Sequence, residues 1–294
     1  MSVPPERVGP PAAPPTGAGG GPPRAAELGR LRRHSTLIAS VSTVAFVAVV
    51  VALLVTAPGA GEFQRAFAAP EHVRGSIGQV WQGFLVNVRL MLVAEALVLV
   101  VALVVAVLRG LPGPAAFPLR ALAVAYTDLF RGIPLLLVIF MVGLGLPALQ
   151  LSVISEQSFF VYGVISLTLV YSAYVAEVYR AGIESVHGSQ VAAARSLSLS
   201  YSQSMRFVVL PQAVRRVVPP LLNDFIGLQK DTALVSVLGV VEAAREAQAY
   251  SAVTFNFTGY LVAAGFFVML TIPLARFTDW LIERDRRKRR ATGG

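Results

Sequence analysis

The stretch of residues 189–211, SQVAAARSLSLSYSQSMRFVVLP, decides how the rest of the chain is arranged. It is polar, it carries Arg195 and Arg206, and it lies between two long apolar runs. Since those runs suit lipid, the segment between them must lie in water at a membrane face. We interpret the segment as a docking element, through which an external motor protein moves the helices on either side.

Composition places the whole chain in a membrane. Hydrophobic residues make up 55% of the 294 residues and charged residues 14%. The mean hydropathy of +0.67 lies outside the range of soluble domains. The net charge of +9 is concentrated at the ends of apolar runs and in the terminal tails. Because this is the charge pattern that sets membrane topology, we predict no binding to nucleic acid.

The sequence also excludes several kinds of chemistry. It contains no cysteine and three widely separated histidines without an H-E-x-x-H pattern, so we predict no disulfide, no thiol catalysis and no metal site. We assign no catalytic residue to the chain. No segment fits G-x-x-x-x-G-K-[ST], and neither Lys230 nor Lys288 follows a glycine. We therefore expect no cofactor on this chain, and any ATP must be hydrolysed by a separate subunit.

Apolar runs predict an all-α polytopic membrane protein with six transmembrane helices. The first run, residues 37–57, has 21 residues without a charge, which is about 32 Å of helix and enough to span the hydrocarbon. It exceeds the apolar core of a signal peptide, so we interpret it as an uncleaved span. The other predicted spans are residues 85–108, 119–146, 159–179, 217–241 and 259–282.

Lysine and arginine predict the orientation of these spans. One set of loops holds only Arg65, Arg74 and Arg245, whereas the other holds Arg109, the arginines at and near residues 189–211, and both arginine-rich termini. By the positive-inside rule the richer set is cytoplasmic. Both termini of this multi-pass plasma-membrane protein are then predicted to be cytoplasmic.

Four segments follow from the same patterns. The N-terminus is rich in proline, glycine and alanine, which is typical of a disordered tail, and the C-terminus is strongly basic. We therefore expect a disordered cytoplasmic tail in residues 1–35, an extra transmembrane helix in 36–58, a transmembrane core in 80–282 that includes the long loop 186–216, and a basic cytoplasmic tail in 283–294.

Within the long loop, residues 190–197 predict a short helix whose alanines allow another surface to approach closely. The next three residues should break it. Ser200 and Gln203 form an S-x-x-Q capping box that opens a second helix. That helix should end at Leu210 because Pro211 cannot continue it undisturbed. We expect two short helices at an angle, exposed on the cytoplasmic face.

This spacing resembles the EAA loop of ABC importer permeases, which reads E-A-A, three residues, G, nine residues and I-x-L-P. Here Ala192-Ala193-Ala194 is followed by three residues, Ser198, nine residues and Val208-Val209-Leu210-Pro211. In that family the first helix is the coupling helix, seated in a groove of the ATPase. The resemblance implies ATPase contact by Gln190, Ala192, Ala193, Ala194, Arg195, Ser198, Leu199 and Pro211.

Two positions depart from the motif. Ala192 replaces its glutamate, which removes a carboxylate that can tether an arginine. Ser198 replaces its glycine, and a left-handed serine would carry strain of about 1 kcal/mol. We expect a docking surface that is weaker, or matched to a particular ATPase, and not a lost one.

Three further motifs look like the polar amino-acid branch of these permeases. They are YTDLFRGIPLL from Tyr126, AYVAEVYRAG from Ala173 and LQKDTALVSV from Leu228, and the resemblance covers about residues 80–282. It is strongest for permeases of actinobacterial glutamate importers. The implied function is import of glutamate or a related acidic or amide amino acid by alternating access. The implied partners are an ATPase subunit dimer with ATP and Mg²⁺, a second permease subunit such as a paralogue, an extracytoplasmic solute-binding protein and membrane lipids.

Ionisable residues in or near the apolar spans are candidates for the transport pathway, since such groups face a partner, the bundle interior or water. Residues 131–134, Arg-Gly-Ile-Pro, should interrupt the third span, and Pro219-Pro220 with Gly227 should weaken the fifth. Broken helices expose backbone groups that can bind a zwitterion. The predicted pathway residues are Asp128, Arg131, Glu177, Lys230, Asp231 and Thr232.

Their roles remain open between ligand contact and mutual pairing. In the first case, Arg131 and Lys230 bind carboxylates, while Glu177 or Asp128 binds the α-ammonium group. In the second, the same residues pair with one another, for example Asp128 with Arg131 one helical turn away.

Two other functional classes compete with an ATP-driven importer. An ion-gradient-driven secondary transporter would use the buried carboxylates as proton sites, and its uptake would persist without an ATPase. A membrane scaffold would bind anionic lipid through the basic tail, but it has no need of intramembrane charges.

Overall fold

The computed structural model describes residues 25–292. The chain divides into two compact units, residues 1–61 and 62–294, which are described separately. In the first unit, α1 (Ala25–Thr56) is a single long helix. It begins within the predicted disordered tail, because Ala25, Ala26, Glu27 and Leu28 are strong helix formers that extend the apolar helix backwards. Residues 1–24 of that predicted tail lie outside the described residues.

The second unit consists of helices joined by short loops. No strand occurs in residues 25–292, which confirms the all-α polytopic fold. After α2 (Ala60–Phe67), which begins at the boundary of the units, the helices in order are α3 (Pro70–Arg109), α4 (Phe117–Gly132), α5 (Leu135–Ala148), α6 (Ser152–Ser155), α7 (Phe159–Glu184), α8 (Gly188–Ser196), α9 (Tyr201–Ser204), a π-helix (Met205–Val209), α10 (Leu210–Asp231), a 3₁₀ helix (Thr232–Leu238), α11 (Ala243–Thr254) and α12 (Thr258–Thr292).

Three helical segments in the described part of the chain are long and apolar enough to cross a membrane, namely Ala60–Arg109, Phe159–Glu184 and Thr258–Arg284. The pair α4 and α5 adds a fourth if it counts as one bent span. The predicted first span contains the shorter apolar stretch Ile38–Leu53, and the predicted fifth changes helix type at Thr232. The total of six spans therefore stays a prediction.

Helix α7 lies at the centre of the second unit, packed against α3, α4, α5 and α10. It is buried on most sides, as expected for a helix that is apolar nearly all round. Glycines allow the closest approaches: a Cβ on Gly163 would collide with Val235, and one on Gly182 would collide with Val217. Both ends of α7 are thus held tightly against the segment 210–238.

Candidate functional site

The third predicted span is broken where the sequence predicts it. Helix α4 ends at Gly132, α5 begins at Leu135, and their axes differ by 108°. Ile133 is extended, with φ −97° and ψ 130°, because a residue before proline is sterically excluded from the helical region. The break leaves backbone groups at two helix ends without partners inside their own helices, so they are available to a ligand.

A cavity of about 480 Å³ lies beside this break. Its walls come from the broken span, from α7 and from α10, and its polar lining includes Arg131, Tyr171, Tyr174, Asn223, Asp224 and Asp231. The structure therefore brings two predicted pathway residues, Arg131 and Asp231, together on one cavity. They come from segments 100 positions apart in the sequence.

The cavity lining carries both positive and negative charge. The Arg131 guanidinium lies 5.8 Å from the centre of the Tyr174 ring, within cation–π range. On the other wall, the Tyr171 hydroxyl donates a hydrogen bond of 2.7 Å to Asp231 Oδ2. Asp224 Oδ2 is buried and has no hydrogen-bond partner in the described part of the chain. The lining thus holds one guanidinium and two carboxylates, a set of charges suited to a zwitterion.

Glu177 lies in a cluster of arginines and does not line this cavity. Its carboxylate pairs with Arg109 and with Arg180, the latter at 2.8 Å, and it lies 3.8 Å from Arg131. Arg109 also donates to the Thr127 hydroxyl at 2.7 Å. Of the two predicted roles for Glu177, this geometry corresponds to the structural pair.

The other predicted pathway residues lie apart from the cavity. Asp128 lines a second cavity, of about 870 Å³, together with Arg109 and Arg180. The predicted pair of Asp128 with Arg131 is not among the ion pairs of the described residues, where the partner of Arg131 is Glu177. The Lys230 side chain is exposed and does not line the cavity that holds Asp231.

Thr232 is fully buried in a polar network that sequence reasoning missed. Asn87 donates to the Thr232 hydroxyl at 3.1 Å and to Glu242 Oε2 at 3.0 Å, and it accepts from the Ala243 N–H at 3.0 Å. Glu242 is also fully buried and caps α11 by accepting from two backbone N–H groups. Burial raises the pKa of the Glu242 carboxyl, and these hydrogen bonds oppose the rise. The network fixes the chain immediately after Asp231; its sequence signal was an asparagine inside an apolar run.

Helix α10 passes through Pro219, Pro220 and Gly227 without a break. The weakening predicted for this span occurs further on, where the α-helix becomes a 3₁₀ helix at Thr232. That helix ends at Gly239, whose φ of +92° suits glycine. A change to 3₁₀ geometry within a long helical segment often marks a functional hinge.

Helix α8 of the segment 189–211 ends as the motif requires. The Leu199 N–H donates to Ala194 O at 3.2 Å and the Ser198 N–H donates to Arg195 O at 2.9 Å, which together form a Schellman motif. Ser198 takes the left-handed position, with φ +60°. The structure thus has a left-handed residue at the motif's glycine position.

The second helix of the segment begins as predicted and does not end as predicted. Ser200 and Gln203 form both hydrogen bonds of the capping box. The prediction that the helix ends at Leu210 is wrong: a π-helix over Met205–Val209 leads directly into α10. There the Leu210 N–H donates to Met205 O, five residues back. The wider turn accommodates Pro211, which has no N–H to donate.

Most of the predicted ATPase-contacting residues are at the surface. Six are exposed, Leu199 is partly buried and Ala194 is buried; the exposed six are Gln190, Ala192, Ala193, Arg195, Ser198 and Pro211. On the inner side of the segment, Val209 packs in a small apolar cluster with Val186 and Ala213, which lie just outside it. The segment is thus packed onto the ends of α7 and α10 while its outer face is free of contacts within the described chain.

Comparisons with known proteins agree with this architecture. The family described as "Binding-protein-dependent transport system inner membrane component" matches residues 114–287. The chain is 39% identical over 168 residues to the probable glutamine ABC transporter permease protein GlnM of Bacillus subtilis, covering 57% of this chain and 76% of GlnM. It is 35% identical over 159 residues to the arginine transport system permease protein ArtQ of the same organism, covering 54% of this chain and 71% of ArtQ.

Solved structures share the same helical arrangement. The crystal structure of an amino acid ABC transporter with histidines has a TM-score of 0.66 and 30% identity, covering 70% of this chain and 94% of that one. The inward-facing MetNI methionine ABC transporter has a TM-score of 0.56 at 17% identity, over 74% of this chain and 98% of that one, and supports the fold alone. This chain belongs to the binding-protein-dependent transport system inner membrane components, as a permease of the polar amino-acid ABC transporter branch.

Proposed function

We propose that this permease imports a polar amino acid through the cavity beside the broken helix, driven by ATP hydrolysis in separate subunits. One observation carries the proposal. The two helices that flank the segment 189–211, α7 and α10, are also the helices that line the cavity with α4 and α5. A push on the segment therefore moves two walls of the cavity.

The ends of α7 and α10 that join the segment 189–211 to the cavity are closely packed against each other. The Arg216 guanidinium donates to the Ser185 carbonyl, and Val217 fills the space left by Gly182. Together with the apolar cluster under the segment, these contacts hold the ends of α7 and α10 together. We assign the segment as the ATPase coupling element, with Gln190, Ala192, Ala193, Arg195 and Ser198 on its contacting face.

The charged residues that line the cavity indicate which amino acids it can bind. Arg131 matches the α-carboxylate of an amino acid, and Asp224 or Asp231 matches its α-ammonium group. A glutamate side chain would require a second cation, and Arg131 is the one cation in the described lining. If one of Asp224 and Asp231 binds the α-ammonium group, the other can bind an amide or cationic side chain of the substrate. Glutamine and arginine, for which relatives are named, carry such side chains. We therefore favour glutamine-like or cationic substrates over glutamate, the predicted substrate that the lining charges support less well.

The complete transporter requires more than this chain. One permease provides part of the pathway, so we propose a second permease, a copy or a paralogue, together with an ATPase dimer that binds ATP and Mg²⁺. A solute-binding protein delivers the amino acid from outside. The distribution of arginine favours a cytoplasmic location for both termini and the segment 189–211.

Reconstitution of the full complex in liposomes tests this function. Uptake of labelled glutamine and arginine should require ATP on the ATPase side of the vesicles, and glutamate should compete poorly. Uptake that persists without the ATPase would instead favour an ion-gradient-driven transporter.

Two substitutions test the assignment of the cavity. Arg131→Gln should lower uptake by at least about tenfold, because a charge-assisted contact to the substrate carboxylate is lost. Lys230→Gln, which removes a cation outside the cavity, is the matched control and should leave uptake within about twofold. Normal uptake by Arg131→Gln, with normal membrane insertion, would contradict the assignment.

A further inference from the structure

Two cavities of the described chain meet at one ionic cluster. Arg131 lines the cavity of about 480 Å³, while Arg109 and Arg180 line the cavity of about 870 Å³. The Glu177 carboxylate contacts all three arginines and lines neither cavity. Glu177 therefore occupies the boundary between the two spaces.

The contacts of Glu177 are unequal on the two sides. Toward the larger cavity it pairs with Arg109, whose side chain is only 16% exposed, and with Arg180 at 2.8 Å. Toward the smaller cavity it meets Arg131 at 3.8 Å, and the Arg131 side chain is 42% exposed. The contact between Glu177 and Arg131 is the longest of the three, so we expect it to break first.

The cluster also joins the elements that would have to move. Arg109 is the last residue of α3, Arg131 lies at the end of α4 beside the break, and Glu177 is on α7. Helix α7 continues to Glu184 and leads within a few residues into α8. A displacement of α7 relative to α3 and α4 must therefore separate Glu177 from Arg109 and Arg131, whereas Arg180 lies on α7 and moves with it.

We propose that Glu177 and its three arginines form a closed ionic gate between the two cavities, and that ATPase-driven motion of α7 opens it. The proposal rests on the proposed transport function. An oriented carboxylate shared by three cations blocks the passage of a zwitterion by both its bulk and its charge. Opening the gate replaces contacts within the cluster by contacts with water entering from the larger cavity.

Cysteine accessibility tests the gate directly, because the chain has no cysteine of its own. Leu135→Cys places a single thiol on this chain in the smaller cavity. The complete complex is reconstituted without nucleotide, and a charged, membrane-impermeant methanethiosulfonate is added to each side of the vesicles in turn. The rate of labelling of this chain is then compared in the parent, in Glu177→Gln and in the control Glu184→Gln.

Glu184 is a matched control because it lies on the same helix and also pairs with Arg180, but its side chain is 61% exposed and does not contact Arg109 or Arg131. We expect Glu177→Gln to raise the labelling rate from the side of the larger cavity by at least about tenfold, since it removes the one carboxylate that contacts Arg109, Arg131 and Arg180 together. Glu184→Gln should match the parent. If the complex with Glu177→Gln fails to assemble, Arg109→Gln tests the ion pair between Arg109 and Glu177 by changing its other member.

Equal labelling rates in the parent, Glu177→Gln and Arg109→Gln would overturn the gate, as would an equal rise in Glu184→Gln. Uptake by the parent complex is measured in the same vesicles. Absence of ATP-driven uptake there would count against the proposed function, whereas normal uptake with unchanged labelling would count against the gate alone.

Discussion

At the scale of single residues, Ser198 shows how a local requirement can be met by a suboptimal side chain. The Schellman end of α8 needs a left-handed residue, and Ser198 adopts φ +60° to provide it. A glycine adopts that conformation without a Cβ penalty. The sequence motif predicts this position because glycine occupies it in the family.

Ser198→Gly should raise the free energy of unfolding by about 1 kcal/mol, because it removes the left-handed strain. Thermal unfolding of the detergent-solubilised complex, followed by size-exclusion chromatography, measures the change. Ala193→Gly is the control: it lies in the middle of α8, where glycine should destabilise by about 0.5–1 kcal/mol. Destabilisation by both variants would contradict the role of the left-handed position.

Glu242 gives a second prediction at this scale. Glu242→Ala should lower the free energy of unfolding by about 2 kcal/mol or more, since α11 loses its cap and Asn87 loses a buried partner. Glu246→Ala, one turn further along the same helix, should cost about 0.5 kcal/mol. Similar losses in thermal stability for the two variants would show that the buried network contributes little.

At the scale of elements, the sequence predicts breaks and caps better than it predicts the path of the chain beyond them. The Gly132-Ile133-Pro134 break and the Ser200–Gln203 cap depend on neighbouring residues, so local chemistry suffices to predict them. The continuation through Pro211 was missed because a π-turn, which no local rule required, accommodates the proline. Cavity walls and ion pairs were missed for another reason: Arg109 and Glu177 are 68 positions apart, and only tertiary packing brings them together.

The break in the third span has its own test. Pro134→Ala should let helical geometry extend across the break, narrow the cavity and lower uptake by at least about tenfold. Pro118→Ala is the matched control, because that proline lies in the first turn of α4, where proline is tolerated. Uptake by Pro134→Ala at the level of Pro118→Ala would show that the break is dispensable.

At the scale of the whole molecule, transport depends on which parts move together. The Cβ of a residue at position 182 would lie 3.6 Å from the Cβ of Val217, which is within the spacing of disulfides. Those positions join the ends of α7 and α10 next to the segment 189–211. If the two ends move as one body, a covalent bond between them should not impede transport.

Gly182→Cys combined with Val217→Cys should therefore form a disulfide on oxidation and retain ATP-driven uptake within about twofold of its reduced form. Val217→Cys alone, which relieves the contact at position 182 and cannot form the disulfide, controls for oxidation. Uptake that is lost on oxidation and recovered on reduction would show that α7 and α10 must separate at this level.

The π-helix over Met205–Val209 has a consequence for how such a segment can change over time. A π-turn holds one residue more than the α-helical turn it replaces, so it behaves as a tolerated one-residue insertion. Deleting a single residue there would restore α-helical winding and rotate everything before it by about 100° around the axis of α10. The side chains that α8 and α9 present to a partner would then be exchanged for a different set, with no substitution in either helix.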